Sequence, residues 1–484
     1  MISKYKIYLT VFISGFVLMV FEIVGSRVLA PYLGSSSVVW TSIIGVILGF
    51  MSLGYWIGGK LADKYPTLNW LASVLVLAAI SILVINLGKD FILYIVTKLS
   101  ISLIAKSLLS SVILFSIPSF LLAFITPFAI RINMGGVKNS GETAGTIYAI
   151  STIGSILGTF FSGFIFIAFF GTNQILWMLS IVLFLLAANL AFSVLKKHLF
   201  WILILLFGNI YFSVKSQKYI DIDTDYSRIF ITENKHNERD AKFISIDGYI
   251  NSGMYINNPN ELIYKYTEFY DLIGFFSKNW KNAVMFGGAG YSYPKHFQNK
   301  FPNKQLDIVE IDPSLTAIAK AYFQFEPKQS TQIFHQDARY FLSNTTNKYD
   351  AVLYDVLTSN LTVPFHLTTL ETFESISNIM SKEGVLIMNL LGNLNGVGSK
   401  FIQSEIKTLK QIFPQVYVFN AMGKDYKGIT NNIIVAMKSN KSVKFPSSGY
   451  FYDKFLKTKI NSIDLNEAII LTDNYAPANY LISK

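Results

Sequence analysis

From Ile7 to Val214 the chain is a succession of apolar segments. No other feature limits its fold as much. About 20 apolar residues rising 1.5 Å each cross a ~30 Å hydrocarbon layer, and such a segment must satisfy its own backbone. Candidate spans are Ile7–Leu29, Val38–Ile57, Leu68–Leu87, Leu108–Ile130, Ala144–Phe170, Ile175–Leu195 and the shorter Leu199–Val214. Asp90–Ile104 is apolar but carries Lys98, and reads as interfacial or amphipathic. Basic residues stand before the first span (Lys4, Lys6) and after the second (Lys60, Lys64), fourth (Arg131, Lys138) and sixth (Lys196, Lys197). The loops near Ser35 and Thr172 carry none, so the N-terminus is expected in the cytoplasm. Seven full spans would put the rest of the chain outside. The chemistry expected of that part favours a cytoplasmic domain, with Leu199–Val214 in the interface or only partly inserted.

The formal charge of +11 suggests nucleic acid at first sight, but basic residues flanking spans account for it, and no nucleic-acid partner is expected. There are no cysteines, which excludes disulfides, thiolate metal sites and cysteine nucleophiles. The five histidines are scattered without ligand spacing, so no metal is expected. Glu22 and Arg27, five residues apart on the first span, point about 140° apart and are not an obvious pair. Arg27 reads as a snorkelling anchor, and Glu22 as a buried structural group or part of a substrate passage. Gly54, Gly58 and Gly59 read as helix-packing positions.

The second half is of ordinary globular composition. Lys215–Asp225 reads as a polar linker, and Tyr226–Tyr255 as short strands with a turn at Asp247-Gly248. A helix over Tyr264–Phe276 follows, then alternating strands and helices, the pattern of a doubly wound, mostly parallel sheet. The fold class expected is a polytopic α-helical membrane domain (1–214), a linker (215–225) and an α/β Rossmann-like, methyltransferase-type domain. The latter comprises a small β-rich N-terminal part (226–281) and the sheet domain proper (282–484).

Ala283–Phe286 runs into Gly287, Gly288, Ala289 and Gly290, and a second apolar run, Leu306–Val309, ends in Glu310-Ile311-Asp312. Strand, glycine turn, helix and a strand ending in an acid make a nucleotide-binding unit. Glu310, twenty residues after Gly290, stands where an acid accepts the ribose hydroxyls of an adenosine. Asp337-Ala338 follows the third strand and Asp355 ends the fourth. One acid at a strand end is usually a helix cap; three in succession above one crevice indicate a site. The geometry suits ribose on Glu310, adenine near Asp337 and the reactive sulfonium facing Asp355. His366 falls in the loop after that strand and is a further site candidate.

At these residues the chain resembles the polyamine aminopropyltransferases, the spermidine synthase family, over about its last 260 residues. It is most similar to the membrane-fused subgroup, on Glu22-Ile23-Val24-Gly25-Ser26-Arg27, Gly58-Gly59-Lys60-Leu61-Ala62-Asp63, Val363-Pro364-Phe365-His366-Leu367-Thr368 and Leu471-Thr472-Asp473-Asn474-Tyr475-Ala476-Pro477. The resemblance implies a methyltransferase-like Rossmann fold and decarboxylated S-adenosylmethionine as co-substrate. It implies cofactor contacts at Gly287, Gly288, Gly290, Glu310, Asp312, Asp337 and Ala338, with Asp355 deprotonating or orienting an attacking amine. Tyr266 and Glu268 match the family's Tyr-His/Gln-Glu signature, with Thr267 between them. The chain also departs from the family. Gly290 stands where the soluble enzymes hold the donor's ammonium with an aspartate. Thr358 replaces their second acid, which holds the acceptor amine, and Asn251 replaces a glutamine after the Asp-Gly turn. Losing a carboxylate that faces a cation removes a bond of roughly 1.5–3 kcal/mol.

Three functions therefore stay open: aminopropyl transfer to an amine; other S-adenosylmethionine chemistry, such as methyl transfer to a membrane-delivered acceptor; and transport or sensing with a non-catalytic nucleoside site. The lipid bilayer is the expected environment, no cofactor is expected to be tightly held, and a homodimer is possible.

Overall fold

The computed structural model describes residues 2–34, 36–134, 139–215, 219–356 and 364–482. They form two compact units, Met1–Phe230 and Ile231–Lys484.

The first unit is helical: α1 (Ile2–Leu33), α2 (Ser37–Lys64), α3 (Leu68–Lys98), α4 (Leu103–Ala123), α5 (Ile125–Asn133), α6 (Ser140–Phe161), α7 (Ile167–Phe169) and α8 (Thr172–Lys215). A π-helical turn, Ser162–Phe166, joins α6 to α7. Among the described residues, six helices are long and apolar enough to cross a membrane, Thr172–His198 being the last of them. Two expectations change. Asp90–Ile104 is not a separate interfacial segment, because α3 runs on through Lys98. Two charges inside it pair with each other: the buried Lys89 ammonium lies 3.2 Å from Asp90, which also accepts a hydrogen bond from the Tyr32 hydroxyl at 3.1 Å. Leu199–Val214 is the continuation of α8 past a break at Ala191, whose φ and ψ of −154° and 89° are not helical.

Glycines set the closest contacts. A Cβ on Gly154 would fall 2.0 Å from the Phe12 carbonyl oxygen and one on Gly158 2.4 Å from that of Phe16, so the α1 and α6 backbones touch. Gly54 and Gly58 pack likewise against Phe120 and Phe124, whereas Gly59 faces open space. Glu22 and Arg27 are both half-buried in α1.

Next comes a four-stranded sheet in the order β1 (Ile220–Asp223), β2 (Arg228–His236), β3 (Arg239–Ile246), β4 (Tyr249–Tyr255). β1 lies in the stretch read as linker, where Ile220-Asp221-Ile222-Asp223 alternates with strand period. Lys265–Leu272 is a 3-10 helix leading into α9 (Ile273–Phe276).

The second unit's main sheet has eight strands: β5 (Asn282–Phe286), β6 (Gln305–Val309), β7 (Thr331–Phe334), β8 (Tyr349–Tyr354), β9 (Met380–Gly392), β10 (Gln415–Asn420), β11 (Thr430–Met437) and β12 (Lys459–Ile460). Their order is β12-β10-β11-β9-β8-β5-β6-β7. Strands β5 to β9 pair in parallel, while β10, β11 and β12 pair antiparallel, so the sheet is mixed. The intervening helices are α10 (Ser292–Lys300), α11 (Pro313–Tyr322), α12 (Ala338–Asn344), α13 (Leu370–Ile379) and α14 (Lys400–Ile412). Apolar clusters cover both faces, one built on Val284, Phe286, Phe341 and Phe373, the other on Met285, Tyr291, Phe297 and Phe419. The order reverses between β5 and β8, and a ligand crevice opens at such a switch point.

Candidate active site

The end of β5 meets the end of β8 closely. The Asp355 N–H donates to the Phe286 carbonyl at 3.0 Å, and a Cβ on Gly287 would lie 2.2 Å from the Asp355 carbonyl oxygen. Gly287 has φ +90°, which only glycine adopts without strain. Ala289 and Tyr291 also have positive φ, 44° and 54°, so the turn is held against local preference. Two things hold it. The Tyr291 ring is fully buried against Phe325, with its hydroxyl 2.6 Å from Thr316 Oγ1. Glu310 also gathers the loop: Oε2 accepts from the Gly288 N–H at 2.8 Å and the Ala289 N–H at 3.4 Å, and Oε1 accepts from the Asp312 N–H at 3.0 Å. Burial raises the Glu310 pKa, and these N–H groups oppose the rise. Glu310 thus organises the turn before any nucleoside arrives.

Asp312 is buried, and its Oδ1 caps α11 at the Ser314 N–H. Asp337 caps α12, where Oδ1 accepts from the N–H groups of Arg339 (2.7 Å) and Tyr340 (3.1 Å), and Ala338 begins that helix in a buried position. The other Asp337 oxygen is 3.3 Å from His366 Nε2, so the histidine's partner is Asp337, not Asp355. Chain proximity to the fourth strand suggested the latter. The 3-10 turn Phe365–Leu367 instead presents the ring to α12.

Asp355 is half-buried, and its carboxylate is held from two sides. Asn389 Nδ2, on β9, donates to its Oδ1 at 2.9 Å, and the Tyr266 hydroxyl reaches its Oδ2 at 3.4 Å. Asn389 is fixed in turn by Asn431 Nδ2 at 3.0 Å. Burial pushes the Asp355 carboxyl up to about 6 against the hydrogen bonds that favour its charge. The buried Tyr270 also lies beside Asp355; burial, then the charge of Asp355, raises its phenol well above its ordinary range. Burial, then the charge of Asp355, holds the Tyr266 phenol well above its ordinary range.

Other expected contacts have local partners. Asn251 Oδ1 accepts from the Ile246 N–H across the β3–β4 turn, and Glu268 pairs with Lys454 at 3.2 Å. Thr358 lies outside the described residues. Beside Gly290, the position of a Cβ is 2.9 Å from Ser252 Oγ and 3.3 Å from Ile244 Cγ2, and Ser252 is hydrogen-bonded to Ser292 at 2.8 Å. The space an aspartate would take is occupied from β3 and β4.

Sequence reasoning missed Asn389, Tyr270 and Arg339. Arg339 Nη1 donates to the His366 carbonyl at 3.1 Å and its Nη2 to Asp473 Oδ2 at 2.6 Å, so it ties the two loop motifs Pro364–Thr368 and Leu471–Pro477 together. The only signal for it was its place two residues after Asp337. Among the described residues, no group of three or more His, Asp or Glu side chains is placed to hold a metal ion.

Glycine turn, acid-ended strands and switch point define a Rossmann-like domain with a nucleotide-binding arrangement. Residues 269–447 match the spermine/spermidine synthase domain. A polyamine aminopropyltransferase from Vibrio vulnificus is 25% identical over 219 residues, covering 43% of this chain and 71% of that protein. The human eEF1A lysine and N-terminal methyltransferase is 26% identical over 152 residues, 29% of this chain and 21% of that one. Among solved structures, a probable spermidine synthase from Corynebacterium glutamicum aligns with a TM-score of 0.42 at 20% identity, covering 48% of this chain and 82% of that chain. Over these residues the chain is thus similar to the spermidine synthase-like proteins.

Proposed function

We propose that the α/β unit is a transferase that moves an aminopropyl group from an adenosyl sulfonium to an amine, and that the helical unit anchors it in a bilayer. The observation that carries this is Asp355, a half-buried carboxylate at the switch point with a pKa of about 6 and two fixed donors. The amine lone pair attacks the methylene carbon beside sulfur, the C–S bond breaks, and a neutral thioether nucleoside leaves. The amine proton passes to Asp355, which is half ionised near pH 6 and mostly ionised at pH 7. Asn389 and Tyr266 hold the carboxylate in line, and Glu310 faces the ribose from beneath the glycine turn.

Gly290 favours a second reading. With Ser252 and Ile244 filling its side-chain space, Gly290 itself offers no carboxylate to bind a donor ammonium or to repel a donor carboxylate. S-adenosylmethionine itself, and methyl transfer, then become compatible with the same pocket. The test is mass spectrometry of small molecules co-purified with the full chain, followed by calorimetric titration with methylthioadenosine. Decarboxylated donor supports aminopropyl transfer, carboxylated donor the methyl reading, and absence of nucleoside binding overturns both.

A further inference from the structure

We infer that the chain crosses the membrane seven times and leaves the helical unit on the face opposite its N-terminus, away from the cytoplasm. This does not depend on the reaction proposed above.

Short connections make successive helices α1 to α4 antiparallel, and the bundle has two ends. One carries the start of α1, the end of α2 and the end of α5. The other carries the end of α1, the later turns of α3 and the start of α8. The first half of α8 runs from the second end to the first, where Lys6 Nζ donates to the Asn189 carbonyl at 2.6 Å. Its helix is broken at Ala191. From Ala191 to Lys215 the chain covers about 36 Å if helical throughout, enough to cross again.

Side-chain contacts show that it does. A Cβ on Gly208 would be 3.9 Å from Leu87 Cδ1, well along α3 toward the second end. Asp223, just beyond α8, accepts from the Thr172 N–H at 2.7 Å, at the very start of α8. Arg228 lies 3.6 Å from Asp90 and makes a two-nitrogen contact with Asp221, at 3.0 and 2.7 Å. Both ends of α8 therefore stand at one end of the bundle. That is possible only if α8 goes out and returns.

The first end is rich in cations: Lys4, Lys6, Lys60, Lys64, Lys196 and Lys197, with Arg131 paired to Asp63 at 3.0 Å. At the second end the loops around residues 34–36 and 170–171 are uncharged, and Lys98 and Lys106 flank the third, with Lys215 ending α8. Basic residues in short loops stay in the cytoplasm, so the second end faces away from it. Residues after Phe230 begin on that face. Taken with the proposed function, a charged sulfonium would need a route across the bilayer, since such an ion does not enter hydrocarbon unaided.

The absence of cysteine makes the test direct. Single cysteines replace exposed Glu142 (first end), Ser100 (second end) and Asn440 (α/β unit) in the full chain. A membrane-impermeant maleimide is applied to spheroplasts before and after permeabilisation. The expected result is labelling of Ser100→Cys and Asn440→Cys in intact spheroplasts, and of Glu142→Cys only after permeabilisation. Asn440→Cys following Glu142→Cys overturns the seventh crossing. Asn440→Cys and Ser100→Cys both protected, with Glu142→Cys open, overturns the sidedness. Protease sensitivity of the unsubstituted chain in the same spheroplasts checks each result without any variant: loss of the α/β unit is expected, and its protection would overturn the placement.

Discussion

Asp355 is held between two opposing demands. The proposed reaction needs it charged, and burial resists the charge, raising its pKa from 3.8 to about 6. Between those values the folded chain holds a proton the unfolded chain has released, so this contribution to stability is present below about pH 4 and is lost as pH rises to about 6. Asp355→Asn should therefore leave thermal stability at pH 4 almost unchanged and raise it at pH 7.5, as read by scanning fluorimetry in detergent. The same variant should bind methylthioadenosine within a few-fold of the parent and turn over on the order of 10²-fold more slowly. The parent's rate should rise with pH through about 6 and then level. A flat profile from pH 5 to 7.5 would remove Asp355 as the base. Glu310 was legible from its spacing, but its bonds to the glycine turn were not, because they depend on the path of the loop above it.

At the scale of elements, β4 and the glycine turn decide what fits beside Gly290. Gly290→Asp alone should destabilise the α/β unit by roughly 1–3 kcal/mol, since Ser252 and Ile244 fill the space. Adding Ser252→Gly should recover much of that loss and shift preference toward a decarboxylated donor, measured as the ratio of donor affinities. An unchanged ratio would mean that the donor's tail lies elsewhere. The α1–α6 seam makes a second prediction. Gly154→Leu should abolish accumulation of folded protein, because its side chain would meet the Phe12 carbonyl, whereas Gly59→Leu should be tolerated. Size-exclusion profiles in detergent distinguish the two.

For the whole molecule, the boundary is not where composition changes. Polar residues begin at Lys215, yet β1 belongs to the four-stranded sheet and the compact division falls inside β2. A chain beginning at Tyr219 keeps all four strands and should be soluble and bind methylthioadenosine. One beginning at Ile231 loses β1 and part of β2, opens a sheet edge, and should aggregate when examined by light scattering. Equal behaviour of the two would show that β1 contributes nothing to the α/β unit.

Periodicity and punctuation carried the fold class: the apolar runs, the alternation from Ala283 onward and the acids ending β6 and β8 are local properties, readable because burial imposes a repeat on the chain. Partnership is not local. That His366 turns to Asp337, that Asn389 and Tyr270 flank Asp355, and that Ser252 fills the space beside Gly290 depend on strands far apart in sequence meeting at one switch point. The course of α8 was likewise undecided by hydropathy, since Leu199–Val214 suits an interface or a span. The contacts of Asp223 and Gly208 decide it, because a helix whose two ends meet the same end of a bundle must have turned back.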